Sequence, residues 1–546
     1  MKLTIHQLII VPVVALSLGF LETGTGKTNA HPNIVWISVE DLSPRLGCYG
    51  DPLARTPTLD QFAAEGVRYE NAFTTAGVCA PSRSAIITGM YQNSIGTHHM
   101  RTTHVAEGLP TPYFAVPPPE VKAFTEYLRS HGYFCTNRAK TDYQFGEPIT
   151  VWDENGRTAH WRNRRKDQPF FSVFNLGNTH ESQVWPNPDK KLTTDPASVD
   201  IPPYYPDTKN VREDLARHYD NIAQVDELAR EILQQLEADN LVENTVVFFF
   251  SDHGDGLPRA KRWLYDSGLR VPLIVRWPGR LAPATVNRDL VSFVDLGPTV
   301  LSIAGLAAPG HFQGQAFLGP HKQPPREYVF GARDRIDESY DWVRAVRDQR
   351  FKLIRNFFPE KPYVLPVPYR DRGLTMQDLL CLDREGRLTG PQRLWFSKSR
   401  PPEELYDLQA DPHEIENLID RSELQPVASR LREALENWMS DIEDKGSTPE
   451  SEMVAAMWPA GVQPVTDRPI ANPFGGSFSA PVKVSMACAT EGASIAYTLE
   501  AGDDPHWLLY SEPVVLEAST RLRAKAIRYG YHESEELKLE YSVLAK

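Results

Sequence analysis

The chain has 546 residues, 41% of them hydrophobic and 24% charged, with a formal net charge of −13. That length exceeds what one hydrophobic core supports, so two or three domains are predicted, of ordinary soluble globular composition. The acidic balance argues against a general nucleic-acid or membrane-surface role, although local lysines and arginines could still hold an anionic substrate.

Lys2 followed by the apolar run Leu8 to Phe20 reads as a secretory signal, too short to span a bilayer comfortably. Thr28-Asn29-Ala30 supplies small residues for cleavage before His31. The reading is a signal peptide over 1–30, a periplasmic or secreted protein, and no membrane insertion once the signal is removed. An uncleaved anchor is the alternative. Cys48, Cys79, Cys135, Cys381 and Cys488 are odd in number and widely spaced, which is no disulfide framework.

Asn33 to Val39 is nearly all apolar and β-branched, as in a buried parallel strand, and it ends in Glu40-Asp41. Two carboxylates at the carboxyl end of such a strand fit a ligand site in an open α/β sheet, and hard oxygen donors suit Ca²⁺ or Mg²⁺. An exposed acidic loop is the plainer reading. Thr56 to Gly66 reads as a capped helix. Cys79-Ala80-Pro81-Ser82-Arg83 then reads as a helix entry, with Pro81 at the first helical position and Gly89 closing the helix in a left-handed conformation. Cys79 would sit just before that helix, where free N–H groups and the dipole favour an anion. Spacing alone leaves open whether it is a buried thiol or part of a site.

A helix is predicted over about 124–130, followed by a strand from Gly132 that leads to Ala139-Lys140. Phe170 to Leu176 is another buried strand and runs into His180. Leu215, Tyr219, Ile222, Val225, Ala229, Ile232 and Leu236 recur at helical spacing, an amphipathic helix covering the sheet. Thr245 to Phe250 is a further strand, ending at Asp252-His253. The loop Gly254 to Arg262 is basic, and Arg259 and Arg262 stand as substrate-contact candidates or as solvated charge. Gly268 to Val275 supplies another strand and Asp295 to Leu301 starts a helix. From about Tyr328 short alternating segments suit a half-exposed antiparallel sheet, covered by a helix over about 423–443. Lys445 to Pro469 reads as a linker, and short period-two strands after it read as a small β-sandwich.

Cys79, Pro81, Ser82, Arg83, Thr88 and Gly89 together match Cys-x-Pro-Ser-Arg with a following Thr-Gly, which resembles the maturation and active-site motif of type I sulfatases. In that family the cysteine is oxidised to formylglycine, whose hydrate is the nucleophile. A serine or thiol attacking sulfur would be left as a stable covalent ester, whereas a geminal diol keeps a second hydroxyl whose deprotonation expels sulfate. The resemblance covers roughly residues 31–445. It implies an α/β fold of the alkaline phosphatase type, with a mixed, mostly parallel central sheet flanked by helices, an antiparallel α+β subdomain and an added β-sandwich.

The same resemblance implies a metal site of Glu40, Asp41, Cys79, Asp252 and His253 for Ca²⁺, with Mg²⁺ as the alternative. It implies roles for Arg83 and Lys140 on the hydrate and sulfate, and for His180 and Lys261 on sulfate and the leaving alcohol. Three departures stand out: Glu40 is longer than the usual aspartate, Ala139 replaces the usual glycine, and Asp142 stands where a histidine is common. The expected boundaries are 31–327 for the catalytic domain, 328–445 for the antiparallel subdomain, 446–469 for the linker and 470–546 for a module resembling the C-terminal domain of chitobiases, read as a spacer or dimer surface. The expected partners are a sulfated carbohydrate and a maturation enzyme acting on Cys79, with no nucleic acid. A phosphodiesterase or phosphonate hydrolase of the same superfamily, and a catalytically dead glycan-binding protein, are the alternatives. Trp161-Arg162-Asn163-Arg164-Arg165 and the loop Leu257 to Asp266 are candidate glycan contacts.

Overall fold

A computed structural model describes residues 31–100, 112–187 and 189–544, so the signal segment expected over 1–30 lies outside the described residues. Eight strands form the central sheet: β1 (Asn33–Val39), β2 (Val67–Phe73), β3 (Phe134–Arg138), β4 (Glu154–Asn155), β5 (Phe170–Leu176), β6 (Thr245–Ser251), β7 (Leu273–Arg276) and β8 (Thr285–Ser292). Their order is β4-β3-β5-β1-β6-β7-β2-β8. All neighbours are parallel except β7, which is antiparallel to both β6 and β2. The carboxyl ends of β1, β2, β3, β5 and β6 therefore share one edge of the sheet.

Both faces are covered, which is why β1 is almost uniformly apolar. Val35, Ile37 and Val39 enter one core cluster with Leu215, Ile222 and Ile232, whereas Ile34 and Trp36 enter the other with Ile86, Phe124 and Val300. The helices responsible are α1 (Pro57–Ala64), α2 (Cys79–Thr88), α3 (Phe124–Ser130), the long α4 (Lys209–Ala238), the single turn α5 (Asp266–Leu269) and α6 (Leu296–Ile303). Helix α2 begins at Cys79 itself, two residues earlier than Pro81 implied. Pro81 is thus in the third helical position, still within the first turn, where N–H groups lack intrahelical partners. Gly89 closes the helix at φ +65°, and a Cβ there would lie 2.5 Å from the Phe312 ring.

Strands β9 (Val329–Arg333), β10 (Val343–Arg347), β11 (Phe351–Asn356) and β12 (Glu403–Asp407) form an antiparallel sheet. Between its last two strands lie α7 (Leu374–Arg384) and α8 (Pro391–Leu394), and α9 (Gln425–Asp441) covers the sheet with Ala428, Leu431, Leu435 and Trp438. The stretch expected to be a linker instead carries α10 (Glu450–Met457). Glu450 is buried and takes both Arg335 Nε at 2.6 Å and Nη2 at 2.7 Å, with Tyr113 at 2.9 Å and Tyr340 as further donors.

Beyond it, β13 (Ile470–Asn472), β15 (Val482–Ala487) and β18 (Val514–Leu516) form one small sheet. Strands β14 (Gly476–Phe478), β16 (Ser494–Thr498), β17 (Leu508–Leu509), β19 (Thr520–Ile527) and β20 (Leu537–Val543) form the other, around a core of their own. This module does not stand off as a spacer. Tyr529 is fully buried against the catalytic body, stacked on Phe145 at 4.9 Å. Its hydroxyl donates to Glu126 at 2.8 Å and accepts from Ala123 N at 3.1 Å. Ser494 donates to the same Glu126 at 2.6 Å, and Arg129 donates to Trp507 O at 2.9 Å. Among the described residues no helix is long and apolar enough to cross a membrane.

Candidate active site

The five strand ends bring Glu40, Asp41, Cys79, Arg83, Lys140, His180, Asp252, His253 and Lys261 to one place. Cys79 is 4% exposed and its Sγ lies 3.2 Å from His253 Nε2. His253 Nε2 in turn lies 3.1 Å from Asp41 Oδ1 and 3.7 Å from Asp252 Oδ1. Arg83, one turn along α2 from Cys79, folds back under the site. It donates to Thr141 O at 3.0 Å, Lys140 O at 2.8 Å and Asn175 Oδ1 at 2.6 Å, with Nη1 3.5 Å from Asp252 Oδ2. Lys140 reaches Glu40 Oε2 at 2.6 Å. Lys261 reaches Asp41 Oδ2 at 2.7 Å and Glu181 Oε1 at 3.0 Å.

Local backbone makes this convergence possible. Asp41 is left-handed at φ 52°, which turns the chain off the end of β1 and aims its carboxylate inward. Its amide donates to Asp252 Oδ1 at 3.2 Å, so the ends of β1 and β6 are tied together at the site. Ala139 has φ 93°, a conformation that favours glycine. The loop that presents Lys140 therefore keeps the backbone shape of a glycine without having one. Thr179 donates to Glu40 O and pins the His180 loop against the end of β1.

Within the site, the nearest nitrogens to the buried oxygens Asp41 Oδ1 and Asp252 Oδ2 are His253 Nε2 at 3.1 Å and Arg83 Nη1 at 3.5 Å, and neither oxygen has a well-formed hydrogen bond. An unpaired buried carboxylate oxygen is costly unless a cation meets it. Ligand atoms of Glu40, Asp41, Cys79 and His180 lie within 4.8 Å of one another, as do those of Cys79, Asp252 and His253. The three carboxylates Glu40, Asp41 and Asp252 fit a hard divalent cation, with Cys79 Sγ and the His180 and His253 nitrogens as the donors outside that oxygen set.

Electrostatics tighten the cluster. Burial opposes ionisation of Asp41, yet Lys261 and His253 hold its carboxyl well below the usual range. Burial likewise opposes the charge on Lys261, but Asp41 and other nearby anionic groups raise it well above an ordinary lysine. His180 goes the other way: burial and then Lys261 push its imidazole below the usual value. Its Nδ1 accepts from Ser182 N at 3.3 Å, so Nε2 carries the proton and faces the site, 3.9 Å from Glu40 Oε2.

Other expectations are corrected. Arg259 and Arg262 are buried rather than open to substrate. Arg259 lies 3.9 Å over the Tyr265 ring and donates to His413 O and Glu414 O, a packing role. Arg262 makes a two-fold ion pair with Glu181, 2.8 Å on each arm. Residues 257–265 are buried throughout, so this loop offers the site Lys261 and little else. Trp161 is fully buried with its Nε1 on Asp239, Arg162 pairs with the same carboxylate, and Trp161 stacks on Phe170 at the amino end of β5. That patch lies at the far end of the sheet. Glu181 was missed: beyond standing next to His180, nothing in the sequence marks it, yet it orders Lys261 and Arg262, and its amide holds Asp41 at 2.7 Å.

The sulfatase family model matches residues 32–147 and 155–306, a model of the C-terminal region of N-sulphoglucosamine sulphohydrolase matches 258–365, and a chitobiase/beta-hexosaminidase C-terminal model matches 473–538. An ulvan-active sulfatase of Formosa agariphila is 42% identical over 560 aligned residues, covering 95% of this chain and 93% of that protein. N-sulphoglucosamine sulphohydrolase of Homo sapiens is 26% identical, covering 77% of this chain and 92% of its own. Of solved structures, one in complex with its substrate D-glucosamine-2-N,6-O-disulfate matches at TM-score 0.53 and 18% identity, over 77% of this chain and 100% of that one. Phosphonate monoester hydrolase of Agrobacterium radiobacter matches at TM-score 0.56 and 16% identity, over 76% and 97%. Identities this low speak for the shared fold alone.

Proposed function

The chain belongs to the sulfatase family and hydrolyses sulfate esters, and from that premise we propose that it desulfates a sulfated polysaccharide or oligosaccharide with residue 79 as nucleophile. In this reading a maturation enzyme oxidises Cys79 to formylglycine, whose hydrate attacks sulfur and later releases sulfate. The observation that carries it is the convergence, at one sheet edge, of Cys79 with the carboxylates of Glu40, Asp41 and Asp252 and with the ammonium groups of Lys140 and Lys261.

Glu40, Asp41, Asp252, His253 and residue 79 would hold the divalent cation, for which Ca²⁺ suits the oxygen donors best and Mg²⁺ is the alternative. When bound, it supplies Lewis acidity at the sulfate and favours the ionised form of the residue 79 hydrate. The remaining work falls to side chains. Lys140 and Lys261 keep N–H donors beyond those spent on Glu40, Asp41 and Glu181, and these face the sulfate oxygens as charge builds. Arg83 holds the Lys140 loop through two backbone carbonyls and keeps positive charge beside Asp252. His180 offers Nε2–H to the departing oxygen as a hydrogen-bond donor, its ring held neutral by burial and Lys261.

A sulfated glycan is supported by the ulvan-active relative, and export by the N-terminal run after Lys2. The fold does not by itself separate sulfate-ester from phosphodiester or phosphonate-ester hydrolysis, so the test compares both chemistries. Matured protein, stripped with a chelator and reloaded with Ca²⁺ or Mg²⁺, is assayed on a panel of sulfated polysaccharides and on an aryl phosphodiester. Metal-dependent sulfate release that exceeds diester turnover is expected. Faster diester cleavage, or activity indifferent to chelation, would overturn the reading.

A further inference from the structure

Tyr369 is a large aromatic side chain left 38% exposed beside the site. Its ring centroid lies 6.5 Å from that of His180, and Trp185 stands against it at 5.0 Å, tilted by 58°. The Arg372 guanidinium lies 4.5 Å over the Trp185 ring and 5.9 Å from the Tyr369 ring. Arg370 nearby pairs with Asp371 at 2.6 Å, but Arg372 has no ion pair among the described residues. In a chain of net charge −13, an arginine without an acidic partner at the mouth of the site is open to a substrate anion.

The platform is held in place from both sides. Trp185 lies on the same short segment as His180, just past the turn Glu181–Gln183. Tyr369 precedes and Arg372 ends the turn Arg370–Arg372, in which buried Arg370 donates to Leu365 O at 3.0 Å. Helix α7 follows directly, and Asp214 of α4 accepts from both the amide (2.9 Å) and the hydroxyl (2.7 Å) of Thr375 in its first turn.

We propose that Tyr369, Trp185 and Arg372 form a glycan subsite, in which Tyr369 carries the face of a pyranose ring and Arg372 pairs with an anionic substituent of the same sugar chain. This rests on the reading of the site as a glycan sulfatase. An aromatic ring offers broad, rigid, amphipathic contact at little entropic cost, which suits the C–H face of a sugar. The guanidinium fork matches a carboxylate or a sulfate with two parallel hydrogen bonds, and the indole beneath fixes its plane. The subsite lies on the side of His180, so it takes the sugar portion of the substrate and not the sulfate that is removed.

The test uses matured full-length protein with Tyr369→Ala, Arg372→Ala and wild type, each checked for an unchanged melting temperature. The probes are a sulfated oligosaccharide bearing uronates, the same oligosaccharide with its carboxyls reduced to alcohols, and a monosulfated neutral counterpart. Tyr369→Ala is expected to raise KM on all three by on the order of tenfold, with kcat held within about twofold. Arg372→Ala is expected to raise KM comparably on the uronate form and not on the monosulfated neutral form. A penalty that persists after carboxyl reduction identifies the partner as a second sulfate, and one that vanishes identifies a carboxylate. Unchanged KM in both variants overturns the subsite, as does a loss confined to kcat. An equal Arg372→Ala penalty on charged and neutral probes overturns the anion contact. Wild type inactive on every sulfate ester would instead overturn the sulfatase reading, and the subsite with it.

Discussion

Among the described residues the Cys79 thiol has one hydrogen-bond partner, His253, so its replacement by a smaller side chain tests chemistry more than stability. Cys79→Ala is expected to lose sulfate-ester turnover by at least about 10⁴-fold while folding normally, because a nucleophile acting with its neighbours as a unit leaves little behind when removed. Circular dichroism beside sulfate release checks both halves, and retained turnover would contradict the assignment. Lys261 is the opposite case, bonded to two buried carboxylates. Lys261→Met is expected to cost about 3–5 kcal/mol in denaturant unfolding, since it strands buried negative charge. A cost below about 1 kcal/mol would place those carboxylates in a far more polar setting than their burial implies. Ala139 should respond in reverse. At φ 93° it carries backbone strain, so Ala139→Gly is expected to stabilise by about 0.5–1 kcal/mol, the relieved strain exceeding the added unfolded-state entropy. Destabilisation by the same substitution would show that the loop bears no such strain.

The join between α4 and α7 carries a pH signature. Burial raises the Asp214 carboxyl to about 6 against an ordinary value of 3.8, with the Thr375 hydrogen bonds only partly offsetting it. A folded value above the unfolded one contributes stability that is present below about pH 4 and lost as pH rises through about 6. Asp214→Asn cannot ionise, so its stability relative to wild type should improve by about 2 kcal/mol between pH 4 and pH 7, read by urea unfolding at each pH. A pH-independent difference would contradict the burial argument. The elements themselves were largely legible in the sequence, for physical reasons. The strands from Asn33, Phe170 and Thr245 are buried on both faces and so lack polar interruptions, and the 3.6-residue spacing of Leu215 to Leu236 marks α4. What stayed hidden depends on distant partners. Composition marked 446–469 as a linker because α10 is anchored by Glu450 meeting Arg335, far away in sequence. Arg259 and Arg262 looked like surface charge for the same reason, since their partners, Glu414 and Glu181, sit on other loops.

At the scale of the whole molecule, the C-terminal module and the catalytic body share buried groups: Glu126 accepts from Tyr529, Ser494 and Thr150 at once. The two should therefore unfold together. The central claim is that all sulfate-ester turnover passes through an oxidised residue 79 at the shared edge of five strands. Preparations with graded maturation, made by varying coexpression of the maturation enzyme, allow the aldehyde fraction of the residue 79 peptide to be measured by mass spectrometry alongside sulfate release. The account predicts that activity rises in proportion to that fraction and extrapolates to zero where every chain keeps its thiol. Full activity from unmodified thiol, or none from fully converted and metal-loaded protein, would contradict it.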